Sequence, residues 1–511
     1  MPRERTLEVQ FPRGGVVRRF AYPGQPPFTT PDAKNVWPTQ WVSGREQGGV
    51  RPGLASVSGV SSLGTAANWC PAVWYASSAL HRGAAIATTS GAWTVESDAT
   101  DTQQISQTCS SGFQTVAVLN QVLFLADAGA TTVYKNLNTA ATGSLTTTGW
   151  PTTTAGCGIV VAALDRLFAA ASPTNPNIVY ASAIGNGLDM DTTAALGASK
   201  AYATGGSRGV INEAVTSLIP HSSGCLLIGC LDSTYIIRGN LEGGGELDQI
   251  SSTLGPLMQS AWCQDGQGNT WMFTRDGLYR LSKGCGLDPL ESVSRERLPD
   301  ELVAIDPGGG DTLAMGYDRR FRGIHISAKI DSVESSWFFD MQSANGGFWP
   351  CEYGAAVQCF PQVAGLAASS TSVSEVMPII SGTAKQFDRS STSESIDSYL
   401  WLGPFKMGQG NQEGILTAVD AVLAADESGY STDAGTIAWE IYTGDSPQEA
   451  YNSSAAFTGT SWSTDALNFT QNPCVTGNAF YIKLIDSSNS RWTVPDEITL
   501  TINSTGRRLV G

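Results

Sequence analysis

From about residue 80 onward, short apolar runs alternate with short polar turns, and the second run of each pair begins near an aromatic residue. Seven such pairs precede residue 390. Examples are Val122–Leu125 with Val133-Tyr134, and Thr270–Phe273 with Leu278–Leu281. Glycine or Asp-Gly in the turns supplies the positive φ that tight hairpins require. The pattern predicts a series of β-hairpins.

The hairpins recur at intervals of roughly 37 to 58 residues, which overlaps the period of β-propeller blades. One hairpin cannot bury both of its faces, but radially stacked four-stranded blades bury them and leave only short edges exposed. The prediction is an all-β chain with a β-propeller of about six to eight blades over residues 55–395. Tandem β-sandwiches would use the same strands and turns. The propeller is favoured because the aromatic residue recurs at a similar place in each hairpin.

The pattern changes at both ends of the chain. Residues 396–511 hold alternating strands such as Ile437–Tyr442 and Phe480–Leu484, joined by Ser-, Thr-, Asn- and Asp-rich segments. These predict either closing blades or a small C-terminal β-sandwich. Helix is scarce, and the best candidate is the short stretch Ser294–Leu302, which Pro299 limits.

Residues 1–54 are Pro-rich and aperiodic, and each X-Pro step favours an extended predecessor. The segment therefore reads as an extended basic N-terminal arm. Its aromatic rings need a surface to cover them, on the chain's own body or on a neighbouring subunit. We interpret the arm as a clasp between subunits. The residues assigned to that contact are Arg18, Arg19, Phe20, Tyr22, Phe28, Trp37, Arg45 and Arg51.

Composition supports the all-β prediction, and the charge disfavours one class of binding partner. Charged residues make up 15% of the 511 residues, below the roughly 25% of typical soluble domains, and there are 14 Trp and 14 Tyr. The net charge is −16, yet residues 1–51 carry four more basic than acidic residues. An acidic body disfavours a surface that grips nucleic acid, because such binding neutralises phosphates with Lys and Arg. It suits a wall that DNA slides past, or simply keeps a large protein in solution.

Ten cysteines are spread thinly without a Cys-x-x-Cys pair, so we interpret them as reduced, mostly buried small hydrophobes. The N-terminus has no apolar segment typical of a signal peptide. No apolar run approaches the ~18 residues of a membrane span. These features predict a protein made and assembled in a cytoplasm, with no membrane insertion.

Candidate chemistry is sparse. His81, His221 and His325 are far apart and lack a second metal ligand at helical or strand spacing. The stretch Asp265–Trp271 resembles the Asp-box turn of sialidase-type propellers, with Gln264 at the Ser position and Gly266 at the Asp position; we interpret it as a plain hairpin turn. No catalytic residue, cofactor site or metal site is expected.

Two acidic pairs offer alternatives. Asp189 and Asp191 could hold a hard cation or lie in a solvated loop. Asp426-Glu427 could cleave a glycoside, although adjacent acids before a glycine favour an exposed turn.

Two stretches resemble phage propeller proteins of short-tail nozzles and tail hubs. The first runs from Tyr22 to Leu54 and includes Pro-Pro-Phe-Thr-Thr-Pro-Asp-Ala-Lys-Asn-Val at 26–36 and Arg-Pro-Gly-Leu at 51–54. The second runs from Leu226 to Leu302 and includes Asp-Gly-Leu-Tyr-Arg-Leu at 276–281. The chain departs from that family at Trp37, where a basic residue is expected, and at Ser336, where His is expected.

The resemblance implies a non-enzymatic virion component of a tailed phage. The expected assembly is a homo-oligomeric ring of six subunits in the tail nozzle, hub or neck, around the channel through which the genome leaves. Its partners would be neighbouring tail or neck proteins and passing DNA that is not specifically bound. The particle would be assembled in the host bacterial cytoplasm. The alternatives are a receptor- or glycan-binding propeller at the virion tip and a polysaccharide-degrading hydrolase.

Overall fold

The structure is a computed structural model. It describes residues 4–38, 48–60, 62–76, 78–109, 114–151, 156–193, 197, 199–294, 297–343, 346–364, 374–388, 394–407, 412–423, 437–462, 468–486 and 494–508.

Four-stranded antiparallel sheets follow one another along the chain, and seven of them are found among the described residues. At six of the seven seams the first strands of neighbouring blades contact each other, which places these strands towards the common axis. Blades 1 to 6 each consist of four consecutive strands. The strands are Ala66–Ala76, Ala79–Thr88, Gly91–Glu96 and Asp101–Ser106 (blade 1); Gln114–Leu119, Val122–Asp127, Ala130–Asn136 and Thr142–Ser144 (blade 2); Ile159–Ala163, Arg166–Ala170, Tyr180–Ala181 and Tyr202–Ala203 (blade 3); Val215–Ser222, Cys225–Cys230, Thr234–Arg238 and Glu246–Ser251 (blade 4); Trp262–Gln264, Thr270–Thr274, Gly277–Leu281 and Glu291–Ser292 (blade 5); and Thr312–Asp318, Gly323–Ile330, Val333–Asp340 and Gly347–Cys351 (blade 6).

Blade 7 closes the propeller with a strand from the other end of the chain. Its first three strands are Val357–Cys359, Ile379–Ile380 and Thr383–Asp388, and its outer strand is Gly53–Ser56. This closing strand begins two residues before the predicted propeller boundary. The short strands Gln362–Ala364 and Ser374–Val376 pair with each other beside blade 7. The β-propeller prediction is confirmed.

The recurrent aromatic residues are core residues between blades. Tyr180, Tyr235 and Tyr279 lie on the third strands of blades 3, 4 and 5, and all three are buried. Each joins a hydrophobic cluster that includes residues of a neighbouring blade. Burying such a ring on both sides requires the next blade, so the hairpins are stable only as a stacked series.

The C-terminal region forms a β-sandwich, which decides between the two predicted alternatives for residues 396–511. Buried side chains from one face of each sheet, such as Leu500 of sheet I and Ile482 of sheet II, belong to one hydrophobic cluster, so the sheets pack face to face. Sheet I contains Glu4–Glu8, Glu497–Arg508, Gln412–Val422, Asn468–Gln471 and Val475–Gly477; sheet II contains Ala33–Lys34, Ser398–Lys406, Ala479–Asp486, Ala438–Gly444 and Phe457–Thr458.

The remaining elements are short. The α-helices are Asp300–Val303 and Pro447–Asn452, and the 3-10 helices are Tyr22–Gly24, Gly206–Arg208, Leu241–Gly243 and Pro307–Gly309. The helix predicted over Ser294–Leu302 is therefore confined to one turn that begins after Pro299. Val36–Trp37 pairs with Gly49–Val50. In the described part of the chain, no helix has the length and apolar character needed to cross a membrane.

Closure of the propeller can be tested by crosslinking its outer strand. Ser56 and Lys385 are direct cross-strand partners, and the Lys385 Nζ lies 2.9 Å from the Ser56 Oγ. We expect the Ser56→Cys/Lys385→Cys variant to form an intramolecular disulfide, because paired residues bring their Cβ atoms within bonding range. Ala55→Cys/Lys385→Cys is the matched control, since Ala55 points to the opposite face. Equal crosslinking of both variants on a non-reducing peptide map would contradict the register.

Candidate functional site

The N-terminal arm lies along its own chain and supplies strands to it. Its first strand, Glu4–Glu8, forms an edge of sheet I, and Ala33–Lys34 forms an edge of sheet II. Between them, the Val16 amide donates to the Phe348 carbonyl of blade 6 at 2.9 Å. The arm thus connects both sandwich sheets with the propeller inside one subunit.

The basic residues of the arm have acidic partners in the same chain. Arg18 pairs with Asp32 at 2.6 Å and also with Glu301. Arg19 pairs with Asp300 at 3.0 Å. Such partly exposed pairs contribute at most about 1 kcal/mol each, so they guide the path of the arm more than they stabilise the fold. Arg18 and Arg19 are therefore neutralised by acidic residues of the same chain, one of them within the arm itself.

At the end of the arm, the Arg51 guanidinium is buried, with 2% of its surface exposed. It pairs with Glu394 through Nη2–Oε1 and Nη1–Oε2 distances of 2.6 and 3.2 Å. It also donates to the carbonyls of Pro52 and Glu352 at 3.0 and 2.6 Å. The Glu394 carboxylate accepts the Leu54 amide at 2.6 Å. Burial alone would lower the pKa of Arg51, but the Glu394 carboxylate outweighs it and the pKa is raised.

Asn35 completes this buried cluster, which we call the arm hub (Asn35, Arg51 and Glu394). The Asn35 Oδ1 accepts from the Arg51 Nε at 3.1 Å and from the Glu352 amide at 2.7 Å. The Asn35 Nδ2 donates to the Asp397 carbonyl at 2.8 Å. Its backbone has a φ of 54°, a left-handed conformation that asparagine tolerates better than most residues. The arm hub joins the arm, the closing strand, blade 6 and the segment that leads into the sandwich.

Trp37 is buried in the same region, with 1% of its surface exposed. Its ring stacks on Phe338 of blade 6 with centroids 4.5 Å apart, and it meets Phe321 edge-on at 5.0 Å. The indole Nε1 donates to the Cys351 Sγ at 3.0 Å. The aromatic residue that departs from the family pattern therefore anchors the arm in the propeller core.

Behind Trp37, His325 is fully buried in an aromatic environment. Its imidazole stacks on Phe387 and Phe360 with centroids 4.8 and 5.4 Å apart. The Nδ1 lies 3.3 Å from the Tyr353 hydroxyl. The Nε2 lies 3.6 Å from an Asp318 carboxylate oxygen, a distance too long for a hydrogen bond. The imidazole is held mainly by ring packing.

Burial shifts the titration of both groups. Burial lowers the pKa of His325 below its usual value and outweighs the attraction of Asp318, so the imidazole is neutral in the fold near pH 7. Burial alone would raise the pKa of Asp318, but the His325 imidazole and the Arg320 guanidinium lower it to about 2. The pair is therefore a neutral imidazole beside a carboxylate.

The outer side of the arm borders an open cleft of about 440 Å³, which we call the arm cleft. Its lining combines aromatic rings with hydrogen-bonding groups. Tyr22 and Tyr451 lie with ring centroids 4.8 Å apart, and the Asp32 carboxylate accepts from the Tyr399 hydroxyl at 2.8 Å. The principal lining residues are Arg18, Phe20, Tyr22, Gln25, Asp32 and Tyr451. The cleft is polar and aromatic without a large net charge.

The structure divides the residues that we assigned to an inter-subunit clasp. Arg18, Phe20 and Tyr22 line the arm cleft, and Arg19 lies next to them. Phe20 and Phe28 are exposed over 44% and 59% of their surfaces and remain open to contact. Trp37 and Arg51 are inside the subunit, so their assignment to a contact between subunits is wrong, because the chain's own core already covers them. Arg45 lies outside the described residues.

Asp265 shows why the Asp-box resemblance is structural. Its Oδ1 accepts the amides of Gln267 and Asn269 at 2.8 and 3.0 Å. Its Oδ2 accepts the Asn269 Nδ2 and the Trp271 Nε1 at 2.8 and 3.0 Å. In the Asp-box resemblance Gly266 stands at the Asp position, but in the structure it is the Asp265 carboxylate that holds the turn together. All four contacts tie the carboxylate to its own hairpin.

The other candidate groups do not converge. His81 contacts Glu96 at 2.6 Å, and His221 contacts Thr270 at 2.7 Å, so both side chains have structural partners. Asp191 accepts from the amide and the hydroxyl of Thr193, as in a local turn. Among the residues that the structure describes, no group of three or more His, Cys, Asp or Glu side chains could hold a metal ion. Asp426-Glu427 lies outside the described residues.

Sequence reasoning missed Glu394 and gave Asn35 no role of its own. Glu394 lies 343 residues from Arg51 along the chain, and no local pattern marks it as the partner of a buried cation. Asn35 falls within a stretch that resembles the phage family, which was the one available signal.

Substitution of Arg51 tests the arm hub. We expect Arg51→Met to destabilise the protein by about 3–5 kcal/mol, because it leaves a largely buried carboxylate without its charge partner. Arg51→Lys should restore little, since an ammonium cannot reproduce the forked donors. Arg19→Met is the matched control and should cost at most about 1 kcal/mol, because the Arg19–Asp300 pair is exposed. Equal losses for Arg51→Met and Arg19→Met in urea unfolding would contradict this role.

The His325 environment predicts an acid-sensitive stability. An unfolded histidine binds a proton near pH 6.5, whereas the folded pKa of His325 is lower, so unfolding becomes easier as pH falls through this range. We expect the urea midpoint to drop between pH 7.5 and pH 5, and His325→Phe to reduce that drop while keeping the ring packing. His81→Phe should not reduce it, because Glu96 raises the pKa of His81. An unchanged pH profile in His325→Phe would exclude this assignment.

The similarities of this chain to known proteins are distant. No protein-family model and no curated protein matches the chain. Among solved structures, it is similar to the extracellular domain of a hybrid two component system from B. thetaiotaomicron, with 11% identity, a TM-score of 0.40 and coverage of 76% of this chain and 46% of that chain. YCF48 bound to D1 peptide gives 8% identity, a TM-score of 0.38 and coverage of 67% and 97%.

The Myceliophteria thermophila Cps50 (Swd1) β-propeller domain gives 9% identity, a TM-score of 0.38 and coverage of 66% and 100%. The chain spans 46, 62 and 52% of the length of three B. thetaiotaomicron structures that it matches. These similarities concern the fold alone.

Proposed function

We propose that this chain is a structural subunit of a tailed-phage virion. In this proposal, identical subunits form a ring in the tail nozzle, hub or neck, around the channel through which the genome leaves. The ring has six subunits and performs no catalysis and binds no cofactor. It contacts neighbouring tail or neck proteins, lets DNA pass without binding it specifically, and is assembled in the host bacterial cytoplasm.

The observation that carries the proposal is the role of the residues that resemble the phage family. Asn35 and Arg51 belong to the arm hub, and Gly53 and Leu54 begin the closing strand. The resemblance therefore rests on residues that build architecture, not on a pocket that could perform chemistry. A framework whose described residues bring together no convergent set of reactive groups favours a structural role.

A ring requires head-to-tail interfaces that close on themselves. Arg18, Arg19 and Arg51 are paired within the subunit, so in this proposal the contact with a neighbour depends on the apolar groups that the arm leaves exposed. Phe20 and Phe28 are the exposed large aromatic residues of the arm among those described. We assign the inter-subunit contact to these two rings.

Binding of a host-surface glycan is the second candidate function. The arm cleft favours it, because aromatic rings beside hydrogen-bonding side chains are typical of sites for polar organic ligands. Arg18 in this cleft is already neutralised by Asp32 and Glu301, which favours an uncharged ligand over an anion. In this second role the protein could act as a monomer.

Mass photometry of the purified chain distinguishes these functions. We expect particles with six times the mass of the 53.8 kDa chain, and rings in negative-stain images. The Phe20→Ser/Phe28→Ser variant should remain folded and shift to monomers, because it removes the exposed rings. Leu287→Ser is the matched control, since Leu287 is 53% exposed on a loop of blade 5. A wild-type chain that stays monomeric at all concentrations would refute the ring and favour glycan binding.

A further inference from the structure

Two cysteines face each other across the seam between blades 4 and 5. Cys225 begins the second strand of blade 4 and is fully buried. Cys285 lies in the connection between Gly277–Leu281 and Glu291–Ser292 of blade 5 and is partly exposed. Both are free thiols in the structure, in line with the interpretation of the cysteines as reduced.

A single hydroxyl holds the two sulfur atoms close together. The Ser222 Oγ lies 2.9 Å from the Cys225 Sγ and 3.1 Å from the Cys285 Sγ. Two sulfurs that share such a neighbour lie within about 6 Å of each other, whereas a disulfide bond is about 2 Å long. The Cys225 thiol also donates to the carbonyl of Gly284, the residue before Cys285, at 3.3 Å. The two cysteine side chains therefore face each other across the seam.

To form a disulfide, the two sulfur atoms must come closer, and of the two backbone segments the one that carries Cys285 is the less restrained. Cys225 is fixed in a strand that pairs with both of its neighbours. Residues 282–290 have no regular secondary structure, and much of the segment is exposed to solvent. Gly284, with a φ of 140°, meets no atom within 4 Å of an added Cβ. The remaining approach of the two sulfurs therefore falls to the Cys285 segment and not to the paired Cys225 strand.

We propose that Cys225 and Cys285 form a specific oxidation site that closes to an intramolecular disulfide when the protein meets a peroxide. The Cys285 thiolate attacks the peroxide O–O bond and becomes a sulfenic acid, with release of water. The Cys225 sulfur then attacks the Cys285 sulfur, forms the S–S bond and expels a second water. One peroxide is reduced by two electrons, and each thiol loses one hydrogen.

The two cysteines have different roles in this sequence because their surroundings differ. Cys285 is partly exposed, so a dissolved oxidant reaches it first. Cys225 is fully buried, so a dissolved oxidant does not reach it, and burial together with the neighbouring Cys285 raises the pKa of its thiol to about 12. It reacts only with a sulfenic acid placed beside it. The second step is therefore slow, and the product is shielded from reductants on the Cys225 side.

The disulfide would join blades 4 and 5 at a place where polar side chains already connect them. The His221 Nδ1 lies 2.7 Å from the Thr270 Oγ1, and its Nε2 lies 3.0 Å from the Ser282 carbonyl oxygen. A disulfide three residues after Ser282 would make this contact between blades 4 and 5 covalent. The inference is independent of the proposed virion function.

Peptide mapping tests the proposal on the full-length chain. Cys474→Ser serves as the background, because Cys474 is exposed and would form disulfides between molecules. After treatment with hydrogen peroxide and alkylation of remaining thiols, non-reducing tryptic digestion should yield peptide 209–238 linked to peptide 284–295. The linked mass should be two hydrogens lower than the sum of the two peptides.

Three cysteine variants identify which two cysteines form the disulfide. Peptide 209–238 also contains Cys230, which lies on the same strand as Cys225 and is equally buried. The linked peptide should disappear in Cys225→Ser and in Cys285→Ser, and it should persist in Cys230→Ser. Should Cys225→Ser fail to fold by circular dichroism, Cys285→Ser alone decides, since that side chain is partly exposed. The proposal would be overturned if peroxide converted Cys285 to a sulfinic acid and left Cys225 as a free thiol. Such a thiol would be alkylated once the chain is unfolded.

Discussion

A buried guanidinium is the constraint on which the rest of this structure depends. Arg51 can be removed from water only if its donors meet acceptors, and those acceptors come from four parts of the chain. Glu394 precedes the sandwich, Glu352 follows blade 6, and Asn35 lies in the arm. An arrangement that misplaced any of them would leave a charge or an amide buried without a partner. The arm hub therefore contributes specificity to the fold more than net stability.

Closure of the propeller and docking of the sandwich depend on each other for the same reason. The closing strand starts two residues after Arg51, and the Glu394 carboxylate accepts the Leu54 amide within it. The arm also supplies edge strands to both sandwich sheets, which covers edges that would otherwise be open to pairing with other chains. The arm, the closing strand and the linker into the sandwich are thus held at one place.

The local features could be predicted from the sequence, whereas the long-range ones could not. Each hairpin carries its own signal, as at Asp276-Gly277, where glycine adopts a φ of 116° in the turn. Strands in closing blades and in a sandwich alternate in the same way, so the C-terminal region stayed undecided until its sheets could be seen to face each other. Trp37 is predicted at a contact between subunits, because the Pro-rich context gives no sign of the Phe338 ring on which it stacks within its own chain. Glu394 had no signal at all, because its importance comes only from Arg51.

Arg18, Arg19 and Arg51 form ion pairs inside the subunit, which limits the forces that could hold copies of the protein together in the proposed ring. Because they are neutralised within the subunit, these three cations have little charge left to attract the acidic surface of another copy. Copies that each carry a net charge of −16 repel one another at long range. Apolar contacts through groups such as Phe20 and Phe28 must outweigh that repulsion at short range. Salt screens the repulsion and leaves the apolar contacts intact, so assembly should strengthen with ionic strength, the opposite of a clasp built on ion pairs.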